Sequence, residues 1–148
     1  MSLLSKKKLI NEIKKEEGSS KHNGRHVLYF DHLGVPTIGW GRVISEGVGL
    51  TDEEADILLH HDINRIIQDL DNEILWWRGE SDMRKRALIQ MAYQMGVRGL
   101  LSFKRMLWEM QHGNYKKAAE EALNSRWAKQ TPARARRVAA MIKNGYDS

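Results

Sequence analysis

The feature that most constrains the fold is a long stretch of helical periodicity that begins at Thr51. Thr51 and Glu54 have the spacing of a capping box, in which each side chain bonds the backbone N–H of the other residue. The apolar residues that follow recur along one helix face: Ala55, Leu58, Leu59, Ile63, Ile66, Ile67, Leu70 and Ile74. The pattern predicts a helix over about 52–75, long enough to connect two lobes.

A different pattern, typical of a β-hairpin, precedes this helix. Residues 27–30 and 35–41 are rich in β-branched and aromatic side chains, and the turn between them ends at Gly34. Gly39 and Gly41 lie inside the second strand, which indicates a kink or a close approach to the backbone. We therefore expect a small sheet ahead of the long helix.

The remaining segments are predicted to be helical. A first helix over 5–17 carries a partial apolar stripe of Leu9, Ile10 and Ile13, and Gly18 ends it. Later helices are expected over 81–96, 102–111 and 114–124, and a last one from Pro132 to just before Gly145. The prediction is one α+β domain over 1–148, with a hairpin lobe (18–50), a connecting helix (52–75) and a helical lobe (76–148) that includes the helix over 5–17.

Composition excludes several classes of protein. The 148 residues contain no cysteine, so disulfide scaffolds, thiol catalysis and cysteine-based zinc sites are ruled out. The six histidines form no metal-binding helix motif, and we expect neither a metal nor another cofactor. No apolar run approaches the length of a membrane span, and no secretory signal is visible. We expect a chain that is not inserted in a membrane and is made in the cytoplasm.

Positive charge is concentrated in the second half of the chain. Residues 76–148 hold 15 basic and 6 acidic residues, and the segment 126–143 holds six basic residues and no acidic one. Such a surface suits a polyanion, whether nucleic acid, an acidic membrane or an anionic cell wall. A merely solvated helix face has the same pattern, so the charge does not choose among these alternatives.

Three residues could carry acid–base chemistry. Glu17 follows Ile13 by four positions, beside the apolar stripe and in the last helical turn. Burial and the negative end of the helix dipole would both favour its protonated form, which suits a general acid. Asp31 lies in the hairpin turn, and Thr37 on the returning strand can fold back towards it, so that both could hold one water. A solvated helix-end glutamate, a turn aspartate and an ordinary β-forming threonine are the alternatives.

Together these residues have the types needed for inverting glycoside hydrolysis, with one carboxylic acid and one carboxylate that acts on water. The arrangement Glu17-Gly18, followed by residues 29–41 with Asp31, Thr37 and the Gly39-Trp40-Gly41 triplet, resembles the active-site signature of phage-type lysozymes. The segments 86–96 and 125–138 resemble the central helix and the C-terminal block of that family. The resemblance extends over most of the chain, from about Leu9 to Gly145.

The resemblance implies a lysozyme-like fold and a substrate. Glu17 matches the general acid, Asp31 the carboxylate that positions or activates water, and Thr37 the neighbouring hydroxyl. The implied substrate is the β-1,4 bond between N-acetylmuramic acid and N-acetylglucosamine in bacterial peptidoglycan. We expect Tyr29, Trp40 and Gly41 to bind substrate, although a packing role fits Trp40 equally.

The implied biology is that of a monomeric phage or prophage endolysin with no specific nucleic-acid partner. Without a signal, such an enzyme stays in the host cytoplasm until a holin opens the membrane, and then acts on the wall in the periplasm. Lytic transglycosylation and a non-catalytic nucleic-acid-binding module are the alternative functions. The chain departs from the family pattern in the long spacing between Glu17 and Asp31, caused by extra residues between Gly18 and Arg25, which we expect to form a longer loop. It also departs in Arg42, where several relatives carry histidine.

Overall fold

The computed structural model describes residues 2–45 and 47–146, apart from the side chain of Leu4. Met1, Glu46, Asp147 and Ser148, which the expected 1–148 domain includes, lie outside the described residues. The chain divides into two compact units, one up to Asp56 and one from Ile57 onward, and the division falls within the long helix.

The first unit contains one helix, five short strands and the beginning of the long helix. The helices are α1 (Leu3–Glu17) and α2 (Asp52–Glu73), and the strands are β1 (Lys21–His22), β2 (Arg25–His26), β3 (Tyr29–Phe30), β4 (Pro36–Ile38) and β5 (Arg42–Val43). The strands form two antiparallel sheets, β1–β2 and β3–β4–β5. Among the residues of this unit whose burial is described, only Thr37 is buried.

The predicted hairpin is confirmed as β3–β4, in which Tyr29 lies opposite Thr37. The sequence did not predict β5, which pairs with β4, because a two-residue strand carries no measurable periodicity. The extra residues before the hairpin were expected to form a longer loop, and this was wrong, since they form β1–β2 around Asn23 and Gly24. Both turn residues have positive φ, at 50° and 76°, as a tight two-residue hairpin turn requires.

The second unit is helical. It contains most of α2, a short 3-10 helix (Trp77–Gly79), α3 (Asp82–Leu101), α4 (Lys104–Gln111), α5 (Tyr115–Leu123), α6 (Arg126–Gln130) and α7 (Pro132–Asn144). The helix predicted to end at Gly96 does break there, since the backbone of Gly96 is not helical (φ 79°, ψ 159°). The sequence did not predict the second helical segment, which continues α3 from this kink to Leu101. The short helix α6 was not predicted.

The hydrophobic core lies in this second unit. Its fully buried side chains come from α2, the 3-10 helix, α3, α4, α5 and α7, and the largest of them include Trp77, Leu70, Leu88, Met91 and Ile142. Helices around an apolar core in one unit and small antiparallel sheets in the other make an α+β fold, which confirms the predicted fold class.

Candidate active site

Glu17 is the last residue of α1, and its carboxyl group lies against the backbone of Gly41. Gly18 ends the helix with φ of 63° and donates its N–H to the carbonyl of Lys14 at 3.0 Å. A Cβ atom on Gly41, whose own φ is 78°, would lie 2.8 Å from Oε2 of Glu17. Glycine at position 41 therefore leaves the space in which the Glu17 carboxyl rests.

Glu17 is exposed, which agrees with the alternative of a solvated helix-end glutamate and not with a carboxyl buried beside the apolar stripe. The stripe itself is only partly covered, since Leu9, Ile10 and Ile13 are each about two-fifths exposed, at 39%, 43% and 44%. An exposed stripe cannot supply the low-dielectric surroundings that would desolvate a neighbouring carboxylate.

Asp31 closes the turn between β3 and β4 with its side chain. Its Oδ1 atom accepts hydrogen bonds from the N–H of Leu33 at 2.8 Å and of Val35 at 2.9 Å. The pKa of Asp31 is lowered, chiefly by the hydrogen bond from the Val35 N–H. Burial opposes this effect, and the Leu33 N–H and the charge of His32 lower the pKa further. Within the described part of the chain Oδ2 has no hydrogen-bond partner, so this oxygen can bind a water.

Thr37 lies at the centre of the three-stranded sheet, between Tyr29 on β3 and Val43 on β5. It is 2% exposed, and its hydroxyl donates to the carbonyl of Val35 at 2.8 Å. Val35 therefore connects the two predicted residues, because its N–H bonds Asp31 and its carbonyl accepts from Thr37. The sequence did not single out Val35, since its side chain has no part in this connection.

Trp40 is 39% exposed, and three basic side chains lie close to its ring. The ring of His26 packs edge-on against it with the centroids 4.9 Å apart. The ammonium groups of Lys14 and Lys21 lie 5.3 Å and 5.6 Å from the centroid of the Trp40 ring. Sequence reasoning did not connect these three residues with Trp40, although the Asn-Gly turn signal at 23–24 could have indicated the hairpin that carries two of them.

The structure thus joins the predicted residues in two groups within the first unit. Glu17 touches Gly41, which is adjacent in sequence to Trp40, and Asp31 is connected through Val35 to Thr37, which pairs with Tyr29. The family model of phage lysozyme matches residues 15–143, a range that includes both groups. The chain belongs to the phage lysozyme family.

Relatives with curated names agree with this membership. The pre-baseplate central spike protein Gp5 of Enterobacteria phage T4 is 32% identical over 145 residues, which cover 80% of this chain and 25% of that protein. Probable T4-type lysozymes 1 and 2 of Dictyostelium discoideum are 31% and 29% identical over 99 residues, which cover 65% of this chain and 58% of each relative. The chain therefore spans a quarter of the spike protein and under two thirds of the other two relatives.

Arg42, which the sequence resemblance placed where several relatives carry histidine, pairs with Glu54 at the start of α2. Glu54 belongs to the predicted capping box, which is confirmed, because Thr51 donates its N–H to Oε1 of Glu54 at 2.9 Å and accepts from the Glu54 N–H at 3.1 Å. The Thr51 backbone and side-chain bonds, and after them Arg42, lower the pKa of Glu54 against a burial effect that raises it. The pair connects β5 with the first turn of α2.

Across residues 2–45 and 47–146, no group of three or more His, Asp or Glu side chains is arranged to hold a metal ion. Among the helices that the structure describes, none has the length and apolarity needed to cross a bilayer.

Proposed function

We propose that this chain hydrolyses the β-1,4 bond between N-acetylmuramic acid and N-acetylglucosamine in bacterial peptidoglycan. The observation that carries the proposal is the contact of the Glu17 carboxyl with Gly41, beside the sheet that carries Thr37 on β4 and Asp31 in its β3–β4 turn. The whole arrangement lies within the segment matched by the phage lysozyme family. A carboxylic acid and a separate carboxylate are the two groups that glycoside hydrolysis requires.

Glu17 is the proposed general acid. Because its carboxyl is exposed in the free protein, a glycosidic oxygen can reach it without any rearrangement of α1. The bound sugar would then displace water from the carboxyl, and this desolvation favours the protonated form that donates to the leaving oxygen. Gly41 leaves room for the carboxyl to stay at the sheet during this step.

Asp31 is the proposed partner of the attacking water. Backbone N–H groups lower its pKa, so the side chain remains ionised near neutral pH. A carboxylate of this kind is a weak base, so we assign it to orienting the water through Oδ2 and to stabilising the positive charge that develops on the sugar ring. It takes up the proton of the water only as the bond to the sugar forms.

Thr37 is the proposed second holder of that water. Its hydroxyl proton points to the carbonyl of Val35, so the lone pairs of Oγ1 remain free to accept a hydrogen bond from water. Attack by a water held opposite the leaving group would invert the configuration at the anomeric carbon. Tyr29, Trp40 and Gly41 are proposed to contact the sugar chain, and we propose that the chain works as a monomer without a cofactor.

The cellular role we propose is that of an endolysin in phage-induced host lysis. Such a protein collects in the host cytoplasm and reaches the wall in the periplasm after a holin has opened the membrane. The names of the relatives differ in role, because two are probable T4-type lysozymes and one is a pre-baseplate central spike protein. A tail-associated lysozyme is therefore the alternative role for the same chemistry.

A binding function is the second candidate, favoured by the basic surface of the last helices. Arg126, Lys129, Arg136, Arg137 and Lys143 are exposed and form no ion pair with any described residue. Non-specific binding of nucleic acid through these residues would weaken steeply with salt and would be unaffected by changes at Glu17.

The test of the hydrolase proposal compares the wild type with Glu17→Gln on purified peptidoglycan. We expect wild-type protein to release reducing ends and Glu17→Gln to be slower by about 100-fold or more, as for the loss of a general acid. Product masses that include an added water distinguish hydrolysis from transglycosylation, which yields 1,6-anhydro ends. Equal rates for both proteins would remove Glu17 from the mechanism.

A further inference from the structure

We propose that Lys14, Lys21, His26 and Trp40, here called the Trp40 cluster, form a site for carboxylate groups carried by the glycan strand. The inference rests on the proposed function and adds to it a specificity element, to which the segment inserted between Gly18 and Arg25 contributes Lys21. The ligand chemistry is a carboxylate on a sugar polymer, whether on the lactyl group or on the attached peptide.

Three separate elements converge on the Trp40 ring. Lys14 comes from α1, Lys21 and His26 come from β1 and β2, and Trp40 lies in the turn between β4 and β5. The ammonium groups lie 5.3 Å and 5.6 Å from the ring centroid, within the range of a cation–π contact. The ring is still 39% exposed, so a ligand can reach the same surface.

The charge of the cluster is not neutralised by the rest of the described chain. Neither lysine forms an ion pair with an acidic side chain among residues 2–45 and 47–146. Two ammonium groups attracted to one ring repel each other, and an anion bound between or beside them would relieve that repulsion. The arrangement is therefore electrostatically complementary to a carboxylate.

The inserted hairpin holds two of these residues in a defined position. The two strands pair Lys21 with His26, and the N–H of Val27 donates to the carbonyl of Ser20 at 2.9 Å. The hydroxyl of Ser19 contacts Nδ1 of His26, whose ring packs on Trp40. The insertion is therefore an ordered hairpin that brings a lysine to the tryptophan.

The cluster lies beside the proposed acid. Trp40 precedes Gly41, on which the Glu17 carboxyl rests, and Lys14 lies one helical turn before Glu17 on α1. A glycan whose scissile oxygen is at Glu17 would therefore place neighbouring acidic substituents within reach of these lysines. Neutral sugars would gain nothing from the two charges, so the cluster favours acidic strands.

Binding of Glu17→Gln protein to purified insoluble peptidoglycan tests the proposal, because retention can be measured without turnover. Lys14→Gln and Lys21→Gln are added singly to this background, and Lys15→Gln is the matched control. Lys15 is an exposed neighbour on α1 that has the same charge and makes no contact with Trp40. Unfolding midpoints of all variants establish that each is folded.

We expect Lys14→Gln and Lys21→Gln to weaken binding about two- to fivefold, the range of one partly exposed charge contact. Lys15→Gln is expected to bind as tightly as the background protein. Peptidoglycan whose carboxyls have been amidated should bind all four proteins equally. Peptide-stripped glycan separates the two sources, because removal of the peptide breaks its amide bond and frees the lactyl carboxyl. Loss of the difference on this glycan assigns the site to peptide carboxylates, and retention of the difference shows that a lactyl carboxylate is sufficient for binding.

Three results would each overturn the proposal. The first is a loss of binding in Lys15→Gln equal to that in the other variants. The second is unchanged binding in both Lys14→Gln and Lys21→Gln. The third is that these two variants still bind more weakly than the background protein when the peptidoglycan is amidated. Release of reducing ends by the wild type is measured separately. A failure of the hydrolase proposal is thus distinguishable from a failure of this one, because the binding assay does not depend on bond cleavage.

Discussion

Asp31 and Thr37 are hydrogen-bonded to the same residue, Val35, one to its backbone N–H and the other to its backbone carbonyl. The carboxylate of Asp31 accepts from the Val35 N–H at 2.9 Å, and the hydroxyl of Thr37 donates to the Val35 carbonyl at 2.8 Å. The same carbonyl also accepts from the Asp31 N–H at 3.0 Å. The two side chains proposed to hold the attacking water are therefore positioned by a single backbone unit, so a disturbance at one reaches the other.

The first prediction concerns Thr37. Thr37→Val removes the hydroxyl from a buried position and leaves the Val35 carbonyl with one donor instead of two. We expect a loss of about 1 kcal/mol in the free energy of unfolding, together with a large fall in kcat. Thr37→Ser keeps the hydroxyl and should retain most of the activity. Denaturant unfolding and rates of reducing-end release measure the two effects, and equal rates for the two variants would contradict the proposed role of the hydroxyl.

Gly41→Ala tests the contact between Glu17 and the sheet. The new Cβ would lie 2.8 Å from Oε2 of Glu17, and the φ of 78° disfavours any residue with a side chain. Gly39→Ala is the matched control, because its φ is 65° and nothing lies within 4 Å of the added Cβ. We expect both variants to lose about 1 kcal/mol of stability from backbone strain.

Only Gly41→Ala should also displace the proposed acid. Its kcat/KM on peptidoglycan is expected to fall by at least about tenfold more than that of Gly39→Ala, as for a displaced catalytic group. If the two variants lost activity equally, the position of Glu17 against Gly41 would have no part in catalysis.

The next prediction concerns stability in the second unit, where Arg84 caps the end of α7. Its Nε donates to the carbonyl of Ile142 at 2.7 Å, and its guanidinium lies 3.2 Å from the centroid of the Tyr115 ring. A Cβ on Gly145, whose φ is 80°, would lie 2.4 Å from the guanidinium carbon. Gly145→Ala should therefore displace a buried charge from its hydrogen-bond acceptors.

We expect Gly145→Ala to destabilise the protein by about 2–4 kcal/mol, the sum of backbone strain and a disturbed charged hydrogen bond. Gly113→Ala, with φ of 77° and open space around the added Cβ, should cost only about 1 kcal/mol. Chemical denaturation of both variants gives the comparison, and a Gly145→Ala as stable as Gly113→Ala would show that Arg84 has freedom to move.

A pH prediction follows from Asp71. Hydrogen bonds from Arg78 and from the Trp77 indole lower the pKa of Asp71 to about 2, below its ordinary value of 3.8. A folded-state pKa below the unfolded one contributes stability that is present above the unfolded value and is lost as the pH falls through the folded value. The contribution of Asp71 should therefore disappear between about pH 4 and pH 2.

Unfolding temperatures of the wild type and Asp71→Asn, measured from about pH 6 to about pH 2, test this expectation, because this range includes the pH interval in which the contribution of Asp71 should be lost. The wild type should lose its advantage over Asp71→Asn as the pH falls. Asp56→Asn is the control, because Asp56 is exposed on the same helix and forms no ion pair with a described residue. A constant difference between wild type and Asp71→Asn across the range would contradict the prediction.

The sequence by itself determined the features that are formed by residues close together in the chain. The capping box of Thr51 and Glu54 spans one helical turn, and the hairpin turn at Asp31 closes within four residues, so propensity and spacing were enough to predict both. Short elements escaped the same reasoning. The strand β5 and the helix α6 contain two and five residues, too few for a period to be visible.

What only the tertiary structure decided are the contacts between residues far apart in the chain. Glu17 meets Gly41 because the end of α1 lies at the sheet, and Arg84 caps α7 from 58 residues away. The exposure of Glu17 likewise depends on what covers the apolar stripe of α1, and periodicity identifies such a stripe without saying what packs on it. Such contacts arise from the packing of whole elements. The local sequence determines where a helix or strand forms, but it does not determine which other elements pack against it.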